Sequence, residues 1–300
     1  MSERSSANYR RPRLALESTL LVHGVPAEAA EPLAAELGGI ASRAGVEPVL
    51  VGVGGGGAGV LDRAGLSAML AAGAGRVAKL NTGTLGAAAF RAATGGESGG
   101  GATTVSATME LAAGMGIRVF ATGGLGGVHK GLVERLDIST DLVAFTRFPV
   151  AVVTAGCKSI LDVSATRELL ETLGVPVIGY RCDRFPAFYR RDGGVGVDAR
   201  FDDMAELGAF ARHEMARTRR GVVVCNPIPV EHELTEADWV RWLAAAEKDA
   251  AASGATGRAV TPAVLGALHR VSGGATLRAN VELVKHNVVV GAALAAAIGT

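Results

Sequence analysis

The chain has 300 residues, of which 49% are hydrophobic and 20% charged, so it can bury a sizeable core and is not a disordered protein. Its formal net charge of +1 excludes the strongly basic balance of a general nucleic-acid binder. We therefore expect a small-molecule ligand and no nucleic-acid partner. Glycine is the unusual residue, with 42 copies, and the purpose of these glycines is the first question that the sequence raises.

Three cysteines, Cys157, Cys182 and Cys225, are widely spaced and match neither a metal-ligand pattern nor a disulfide framework, which predicts a reducing, cytoplasmic location. No stretch reaches about 18 uninterrupted apolar residues, so we expect no contact with a membrane. The basic first 12 residues are not followed by the apolar segment of a secretory signal. We interpret residues 1–12 as a flexible tail and residues 13–300 as a single domain.

Glu17 is the first candidate for chemistry along the chain, because it stands within the apolar run from Leu14 to Val22. A carboxylate in such a run is costly unless it is paired or functional. The alternative is a solvent-facing glutamate on an amphipathic strand. His23, directly after this run, is interpreted as a structural or supporting residue rather than as a metal ligand.

The next predicted strand, Pro48–Val53, leads into a glycine-rich segment in which residues 52–57 match the pattern GxGxxG. A dinucleotide site with this pattern also needs an acidic residue about 20 positions later, at the end of the next strand. The next predicted strand, Arg76–Leu80, has Lys79 there instead. We therefore favour a hairpin or loop over a nicotinamide site, and we predict no function for segments 52–59 and 95–101.

Four hydroxyl-bearing residues stand at the start of a helix predicted over Ser106–Ala113, namely Thr103, Thr104, Ser106 and Thr108. A helix N-terminus with hydroxyls and free N–H groups can bind an anion. Simple N-capping by one of the hydroxyls is the alternative, and both can hold together. Lys79 would supply a positive charge to the same anion.

The predicted strand Ile117–Ala121 precedes a loop, residues 122–131, in which five of the ten residues are glycine. Glycine lets the backbone approach a ligand closely and offers N–H groups to an anion. His129 lies near the end of this loop. Further on, Asp137, Ser139 and Asp141 alternate, and this pattern either directs oxygens to one hard cation or caps a helix that starts near Asp141. The spacing alone leaves both interpretations open.

The strand predicted over Val150–Ala155 leads directly to Gly156 and Lys158. In a parallel sheet, groups just past a buried strand contact the ligand. An interior lysine loses its charge readily and becomes a nucleophile toward a carbonyl group. An exposed loop lysine is the alternative, and the apolar residues on both sides of Lys158 argue against it. The segment is not a P-loop, because the first glycine of that motif is missing.

The rest of the chain continues the alternation of strands and helices. Strands are predicted at Val175–Tyr180 and Gly221–Cys225, and helices from Ser164 (N-cap) to Leu173, from Thr235 and from Thr261. Buried strands that alternate with helices predict an α/β fold, with a mostly parallel central sheet covered by helices on both faces. The ligand then lies beyond the carboxyl ends of the strands. Asn280 is a candidate polar contact near a helix start.

Together these segments resemble the pseudouridine-5′-phosphate glycosidases, a family that includes IndA-like proteins. The resemblance covers most of the chain, from about residue 14 to about residue 290. The matching segments are ALESTLLVHGVP (15–26), ATTVSATM (102–109), VFATGGLGGVHKG (119–131), DISTDL (137–142), PVAVVTAGCKSILDVSATRELLETLGVPVIGY (149–180), DRFPAFY (183–189), NPIP (226–229) and LRAN (277–280).

The resemblance implies reversible cleavage of the C–C glycosidic bond of pseudouridine 5′-phosphate, with uracil and ribose 5-phosphate as products. It implies one divalent metal ion, typically Mn²⁺, bound through Asp137, and a homotrimer. By the same resemblance, Lys158 is the nucleophile that holds a ring-opened ribose, Glu17 is the proton donor, and His129 is an active-site histidine. The implied substrate-binding positions are Lys79, Thr104, Val105, Ser139, Thr140, Asp141 and Asn280.

The sequence departs from the family pattern at three places. Segment 50–60 is unusually rich in glycine, Asn-Thr-Gly-Thr follows Lys79 where a basic–acidic pair is usual, and Thr140 stands where alanine is common. None of these changes removes Glu17, Asp137 or Lys158, so we expect an active enzyme. The alternatives are a glycosidase that acts on another 5′-phosphorylated nucleoside and a non-catalytic nucleotide-phosphate binding protein.

Overall fold

A computed structural model describes residues 11–95, 100–131, 136–252, 254 and 260–299. Most of the predicted tail over residues 1–12 and the middle of segment 95–101 lie outside the described residues. The strands are β1 (Arg13–Glu17), β2 (Glu47–Gly54), β3 (Gly57–Val60), β4 (Ala78–Leu80), β5 (Gly101–Thr103), β6 (Val119–Ala121), β7 (Val128–His129), β8 (Ala151–Thr154), β9 (Leu161–Asp162), β10 (Val177–Tyr180), β11 (Ala199–Phe201) and β12 (Val222–Cys225).

Helices separate most of these strands. They are α1 (Ala27–Arg43), α2 (Arg63–Ala72), α3 (Thr82–Ala93), α4 (Val105–Gly114), α5 (Thr140–Arg147), α6 (Val163–Thr172), α7 (Met204–Thr218), α8 (Glu236–Ala252), α9 (Val260–Val271) and α10 (Ala275–Ile298). A single π-helical turn, Leu20–Gly24, follows β1, and a short 3₁₀ turn, Val230–His232, follows β12.

Ten strands form one sheet in the order β11-β10-β12-β8-β6-β1-β2-β5-β4, with β3 paired to β2 beside this path. Every pair from β11 to β2 is parallel. Strands β3 and β5 each pair with β2 in antiparallel orientation, and β4 pairs with β5 in parallel. The predicted α/β fold with a mostly parallel sheet is therefore confirmed.

The antiparallel strand β5 brings two strand ends together. Glu17, the last residue of β1, pairs with Val51 of β2, and Ala102 of β5 pairs with the next residue, Gly52. Because β3 occupies the other side of β2 at these positions, β5 lies on the same side as β1 and meets it end to end. The carboxyl ends of β1 and β5 thus converge from opposite directions, with β4 beside β5.

Helices cover both faces of the sheet, as side-chain alternation along the strands requires. Leu14 and Leu16 of β1 pack in a core with α1, α7 and α10, whereas Ala15 between them packs in a second core with α4, α5 and α6. Within the described chain, α10 alone has the length and apolar composition of a membrane span. More than half of that apolar window is buried inside the fold, where α10 packs on β6 and β8 as a core helix.

The six predicted strands are all present, with ends shifted by a few residues. The GxGxxG segment forms the end of β2, the turn and the first residue of β3, the hairpin that we favoured over a dinucleotide site. Thr235 caps α8 as predicted, because its Oγ1 accepts from the Asp238 N–H at 3.1 Å. The prediction of Ser164 as N-cap of α6 is wrong: the cap is Asp162, whose carboxylate accepts from the Ala165 N–H at 2.9 Å.

Candidate functional site

A cavity of about 250 Å³ lies where the strand ends meet. Glu17 ends β1, Lys79 belongs to β4, Gly123 and Gly124 follow β6, and Lys158 follows β8. The described residues that line the cavity are Glu17, Thr19, Leu20, His23, Gly24, Lys79, Gly123, Gly124, Lys158, Ser159, Ile160, Phe188, Tyr189, Gly266, His269 and Asn280. The structure therefore brings together four of the predicted site residues: Glu17, Lys79, Lys158 and Asn280.

Glu17 is held in the cavity wall as a carboxyl group that is partly protonated near neutral pH. Burial is the main cause, and it raises the pKa of Glu17 from 4.5 to about 7 against the opposing charge of Lys158. The Thr122 hydroxyl donates a hydrogen bond to Glu17 Oε1, and this bond also lowers the pKa. The solvent-facing alternative for Glu17 is thus wrong. A carboxyl group with such a pKa can donate or accept a proton at physiological pH.

Lys158 follows the fully buried strand β8 and is itself half-buried in the cavity lining. Its backbone N–H donates to the Leu125 carbonyl at 3.1 Å, which ties the loop to the glycine-rich loop after β6. Gly156 has φ +81°, and a Cβ atom at this residue would lie 1.7 Å from the Pro186 carbonyl oxygen. Only glycine fits at this position, so the backbone conformation that places Lys158 in the cavity lining depends on Gly156.

The substitution Gly156→Ala is expected to reduce the free energy of unfolding by about 3 kcal/mol or more, because left-handed strain and a backbone clash add together. Gly45→Ala is the matched control, since Gly45 has φ +76° but nothing within 4 Å of the added Cβ. It should cost only about 1 kcal/mol. Urea unfolding of both variants checks this prediction. Equal losses in the free energy of unfolding would show that the close approach to Pro186 does not contribute to the effect.

Lys79 and Lys158 place two basic side chains in one cavity. Burial, together with the nearby charge of Lys158, lowers the pKa of Lys79, while Glu17 acts in the opposite direction. His23 lies beside them, and burial followed by the charge of Lys79 lowers its pKa to about 4, so its imidazole is neutral at pH 7. Two lysine side chains beside a neutral imidazole favour an anionic ligand.

The glycines of the loop 122–131 admit other parts of the protein, and two of them also line the cavity. A Cβ at Gly124 would lie 2.5 Å from Phe188 Cδ2, and a Cβ at Gly126 would lie 2.3 Å from Ser139 Oγ. The Gly126 N–H donates to the Asp141 carboxylate at 2.9 Å rather than to a free anion site. Only Gly123 and Gly124 of this loop line the cavity.

Asp137 and His129 lie together on adjacent extended segments, with His129 Nε2 4.0 Å from Asp137 Oδ2. The His129 N–H donates to the Asp137 carbonyl at 3.0 Å. The Asp137 side chain is 66% exposed and that of His129 is 31% exposed, so water reaches both. Neither residue lines the cavity, and residues 132–135 between them lie outside the described chain.

Ser139 and Asp141 belong to the start of α5 and do not share one cation site with Asp137, whose side chain takes no part in the cap. Ser139 Oγ accepts from the Asp141 N–H at 3.2 Å at the start of α5. The buried Asp141 carboxylate accepts from the N–H groups of Ser106 and Gly126, each at 2.9 Å. In the described residues, no three His, Cys, Asp or Glu side chains form a metal-binding group.

The hydroxyls at the start of α4 form two groups, a buried pair and a second group that also includes Thr140 of α5. Thr103 and Thr108 are buried and bonded to each other at 3.0 Å. Thr104 is the N-cap residue of α4, and its hydroxyl makes no capping bond. Instead it lies 3.3 Å from Ser106 Oγ, which in turn lies 3.1 Å from Thr140 Oγ1. The start of α4, which begins at Val105, and the start of α5 therefore bring three hydroxyls together, with Ser106 buried between Thr104 and Thr140.

Comparison with known proteins identifies the family to which the chain belongs. The model of the Indigoidine synthase A like protein family matches residues 4–297 of the chain. The chain belongs to this family. The match begins inside the segment that we interpreted as a tail.

Curated relatives resemble the chain over almost its whole length. The pseudouridine-5′-phosphate glycosidase of Symbiobacterium thermophilum is 41% identical over 98% of this chain and 95% of its own length. The protein of the same name from Mesorhizobium japonicum is 41% identical over 96% of this chain and 92% of its own.

Two solved structures have the same fold. An indigoidine synthase A-like protein of Thermotoga maritima superimposes with a TM-score of 0.84 and 33% identity, covering 95% of this chain and 92% of its own. The prealnumycin C-glycosynthase AlnA, in complex with ribulose 5-phosphate, superimposes with a TM-score of 0.85 and 34% identity. This match covers 96% of this chain and 92% of the AlnA chain.

Several cavity residues of this family member were not predicted from the sequence. Phe188 has φ +62° and lies with its ring over Gly124, and His269 Nδ1 lies 2.9 Å from Thr276 Oγ1. A non-glycine residue in the left-handed region is the strained type of residue that collects at functional sites. Asn280, which was predicted, is 8% exposed, and its Oδ1 has no hydrogen-bond partner within the described chain.

Proposed function

We propose that this protein reversibly cleaves the C–C glycosidic bond of pseudouridine 5′-phosphate to uracil and ribose 5-phosphate, through a covalent adduct between Lys158 and a ring-opened ribose. The observation that carries the proposal is the pairing of an amine and a proton-bearing acid in one cavity, Lys158 and Glu17. The names of the curated relatives support the substrate, and the C-glycosynthase with its bound sugar phosphate supports the class of chemistry.

A C–C bond has no leaving oxygen to protonate, so the two-carboxylate route of ordinary glycosidases is ill suited to it. In the proposed route, Lys158 first loses its ammonium proton, and the resulting amine bonds to C1′ while the C1′–O4′ bond breaks and O4′ takes a proton. The attached nitrogen then loses a proton and regains its lone pair. The amine lone pair then forms a C1′=N iminium as the C1′–C5 bond breaks, and C5 of uracil takes a proton. Water hydrolyses the iminium to ribose 5-phosphate and restores the amine.

Glu17 is the residue placed to supply a proton in this sequence. With a pKa of about 7, about half of the Glu17 carboxyl groups carry a proton at neutral pH. The proton goes to O4′ during ring opening or to the uracil carbon during bond cleavage. We assign the Thr122 hydroxyl the task of orienting the Glu17 carboxyl, because it donates to Oε1.

The phosphate of the substrate fits the basic and hydroxyl-rich side of the site. Lys79 contributes a positive charge in the cavity. Thr104 and Thr140 contribute hydroxyls near the N-terminus of α4, beside the residues that line the cavity, and the buried Ser106 hydroxyl lies between them. Backbone N–H groups at a helix start favour anions, with Val105 as the first helical residue. Ser139 and Asp141 would act on the substrate indirectly, because their side chains hold the start of α5.

We propose that Asp137 binds one divalent ion, with Mn²⁺ as the expected metal and water as the remaining ligands. The fit is chemical: an exposed carboxylate beside an imidazole offers oxygen and nitrogen ligands, and hard divalent ions with few protein ligands retain several waters. His129 is the neighbouring residue that can join the ligands or contact the substrate. When bound, the ion polarises oxygen atoms of the substrate.

Asp137→Asn is expected to raise the Mn²⁺ concentration needed for half-maximal activity at least about tenfold, because it replaces the charged ligand by a neutral amide. A chelator should abolish the activity of the unmodified protein, and added Mn²⁺ should restore it. Asp192→Asn is the control, since Asp192 is also exposed, and its carboxylate lies 3.6 Å from Arg184 and accepts from the Gly194 N–H at 2.7 Å, bonds that an asparagine oxygen can largely keep. Full activity in the presence of chelator would contradict the metal requirement.

Chromatographic separation of uracil from pseudouridine 5′-phosphate tests the proposed reaction directly. We expect uracil and ribose 5-phosphate to form in equal amounts, and the reverse reaction to proceed from both. Because AlnA is named a C-glycosynthase of a different acceptor, a panel of other 5′-phosphorylated nucleosides and carbon acceptors should be included. Turnover of another member of the panel, without turnover of pseudouridine 5′-phosphate, would overturn the proposed substrate.

We further propose a homotrimer in the cytoplasm. The three cysteines are free and buried, which suits a reducing compartment. Light scattering of the purified protein gives the mass of the assembly, and a monomeric mass would contradict the trimer.

A further inference from the structure

A chain of buried amides runs from the end of β12 to the acid of the candidate site. It starts at Asn226, directly after β12, and passes through Asn287 of α10 to the Thr122 carbonyl, next to the hydroxyl that serves Glu17. Asn226 and Asn287 are 3% and 1% exposed, in surroundings that are mainly apolar, and Asn226 Nδ2 also lies 3.1 Å from His286 Nδ1. Buried amides in such surroundings are costly unless all their bonds are made, so their presence needs a reason.

The orientation of the Asn287 amide is fixed from both sides. Asn226 Nδ2 donates to Asn287 Oδ1 at 2.9 Å, and Asn287 Nδ2 donates to the Thr122 carbonyl at 2.7 Å and lies 3.4 Å from the Gly123 carbonyl. The opposite orientation would put two N–H groups face to face at Asn226. The Asn226 N–H in turn donates to the Thr154 carbonyl at 2.9 Å, which anchors the chain to the end of β8.

The bonds from Asn287 act on the turn where the chain leaves the sheet. Thr122 follows the last residue of β6, and its own N–H still bonds the Val153 carbonyl at 3.0 Å. Beyond it, Gly123 and Gly124 lack side chains that could hold the backbone, and they line the cavity. Asn287 therefore holds the carbonyl side of Thr122 while the Thr122 hydroxyl donates to Glu17.

We propose that Asn287, oriented by Asn226, is a positioning residue that fixes Thr122 so that its hydroxyl donates to Glu17 and sets the proton affinity of that acid. The catalytic meaning of this contact rests on the proposed function, whereas the contact itself does not. The charged groups that act on Glu17 are Lys158 after β8, Asp141 of α5 and Lys79 of β4, and none of them contacts Asn287 in the described chain.

The test follows the ionisation of Glu17 without substrate, by NMR of protein labelled with ¹³C at the glutamate side-chain carboxyl carbon. The Glu17 signal is identified by its loss in Glu17→Gln. Thr122→Val, which keeps the shape but removes the donor, should move the midpoint upward from about 7 by about one pH unit. Asn287→Leu should move it in the same direction, and the double variant should add little to Thr122→Val, because both changes remove the same hydrogen bond.

If Asn287 had only a structural role, Asn287→Leu would lower the free energy of unfolding and leave the midpoint of the Glu17 titration unchanged. Val288→Ala is the matched control, since Val288 is the fully buried neighbour of Asn287 on α10, and this variant should lose stability without a shift. Should Asn287→Leu fail to fold, Asn226→Ser carries the test, because it frees the Asn287 amide without enlarging a side chain. An unmoved midpoint in the Asn variants, or shifts in the double variant that simply add, would overturn the proposal. Failure to cleave pseudouridine 5′-phosphate would overturn only the proposed function.

Discussion

Lys158→Arg is expected to reduce turnover of pseudouridine 5′-phosphate by about 10⁴-fold or more, while the protein remains folded. Arginine keeps the positive charge and the length of the side chain, but it does not deprotonate in proteins and so cannot attack C1′. Lys158→Ala should be equally inactive. Steady-state assays of uracil release, together with thermal unfolding of each variant, check this prediction.

The arginine variant separates a nucleophile from a charge that only binds phosphate. A binding role would leave much of kcat in Lys158→Arg and raise KM, and that result would contradict the covalent route. Lys79→Arg provides the comparison in the same cavity, because Lys79 is assigned to the phosphate. We expect Lys79→Arg to retain most of kcat, with a change mainly in KM.

Glu17→Gln is expected to lower kcat for cleavage by about 10² to 10⁴-fold, the usual contribution of a positioned general acid or base. Glutamine keeps the size and the hydrogen-bonding capacity of the side chain but has no proton to transfer. The binding of ribose 5-phosphate should change little. A variant that retains full kcat would remove Glu17 from the chemistry.

The pH dependence gives a second readout of Glu17. Because its pKa in the folded protein is about 7, the protonated fraction falls as the pH rises through 7, and kcat for a step that needs this proton should fall with it. The raised pKa also means that Glu17 contributes stability below pH 4.5 that is lost as the pH rises through about 7. Glu17→Gln should therefore lose the falling limb of kcat and become more stable than the unmodified protein above pH 7.

The fold was predictable where apolar strands alternate regularly with helices along the chain. Continuous apolar runs marked β2, β6, β8, β10 and β12, and their alternation with helices predicted the parallel sheet. Strand β5 escaped prediction because three residues, Gly101–Thr103, carry too little pattern. Strand β5 pairs with β2 in antiparallel orientation, and the two strands are far apart in the sequence. This pairing places β4, and with it Lys79, near the end of β1.

The sequence alone was enough to predict the acid Glu17 and the amine Lys158, but not the residues that hold the site in position. Glu17 and Lys158 each stand just at or beyond a buried strand, so one topological rule places both in the cavity. The Asp141 carboxylate seemed from its spacing equally suited to a cation, and only the fold shows that two backbone N–H groups occupy it. The contact between Asn287 and Thr122 spans 165 residues, and no local pattern reports such a contact.

Borohydride trapping with mass spectrometry tests the central claim most directly. The unmodified protein is incubated with ribose 5-phosphate, reduced, digested and mapped. We predict one covalently attached sugar phosphate per chain, located on the peptide that contains Lys158, and none in Lys158→Arg. A protein that turns over pseudouridine 5′-phosphate under the same conditions but carries no sugar on Lys158, or carries it on Lys79 instead, would contradict the account.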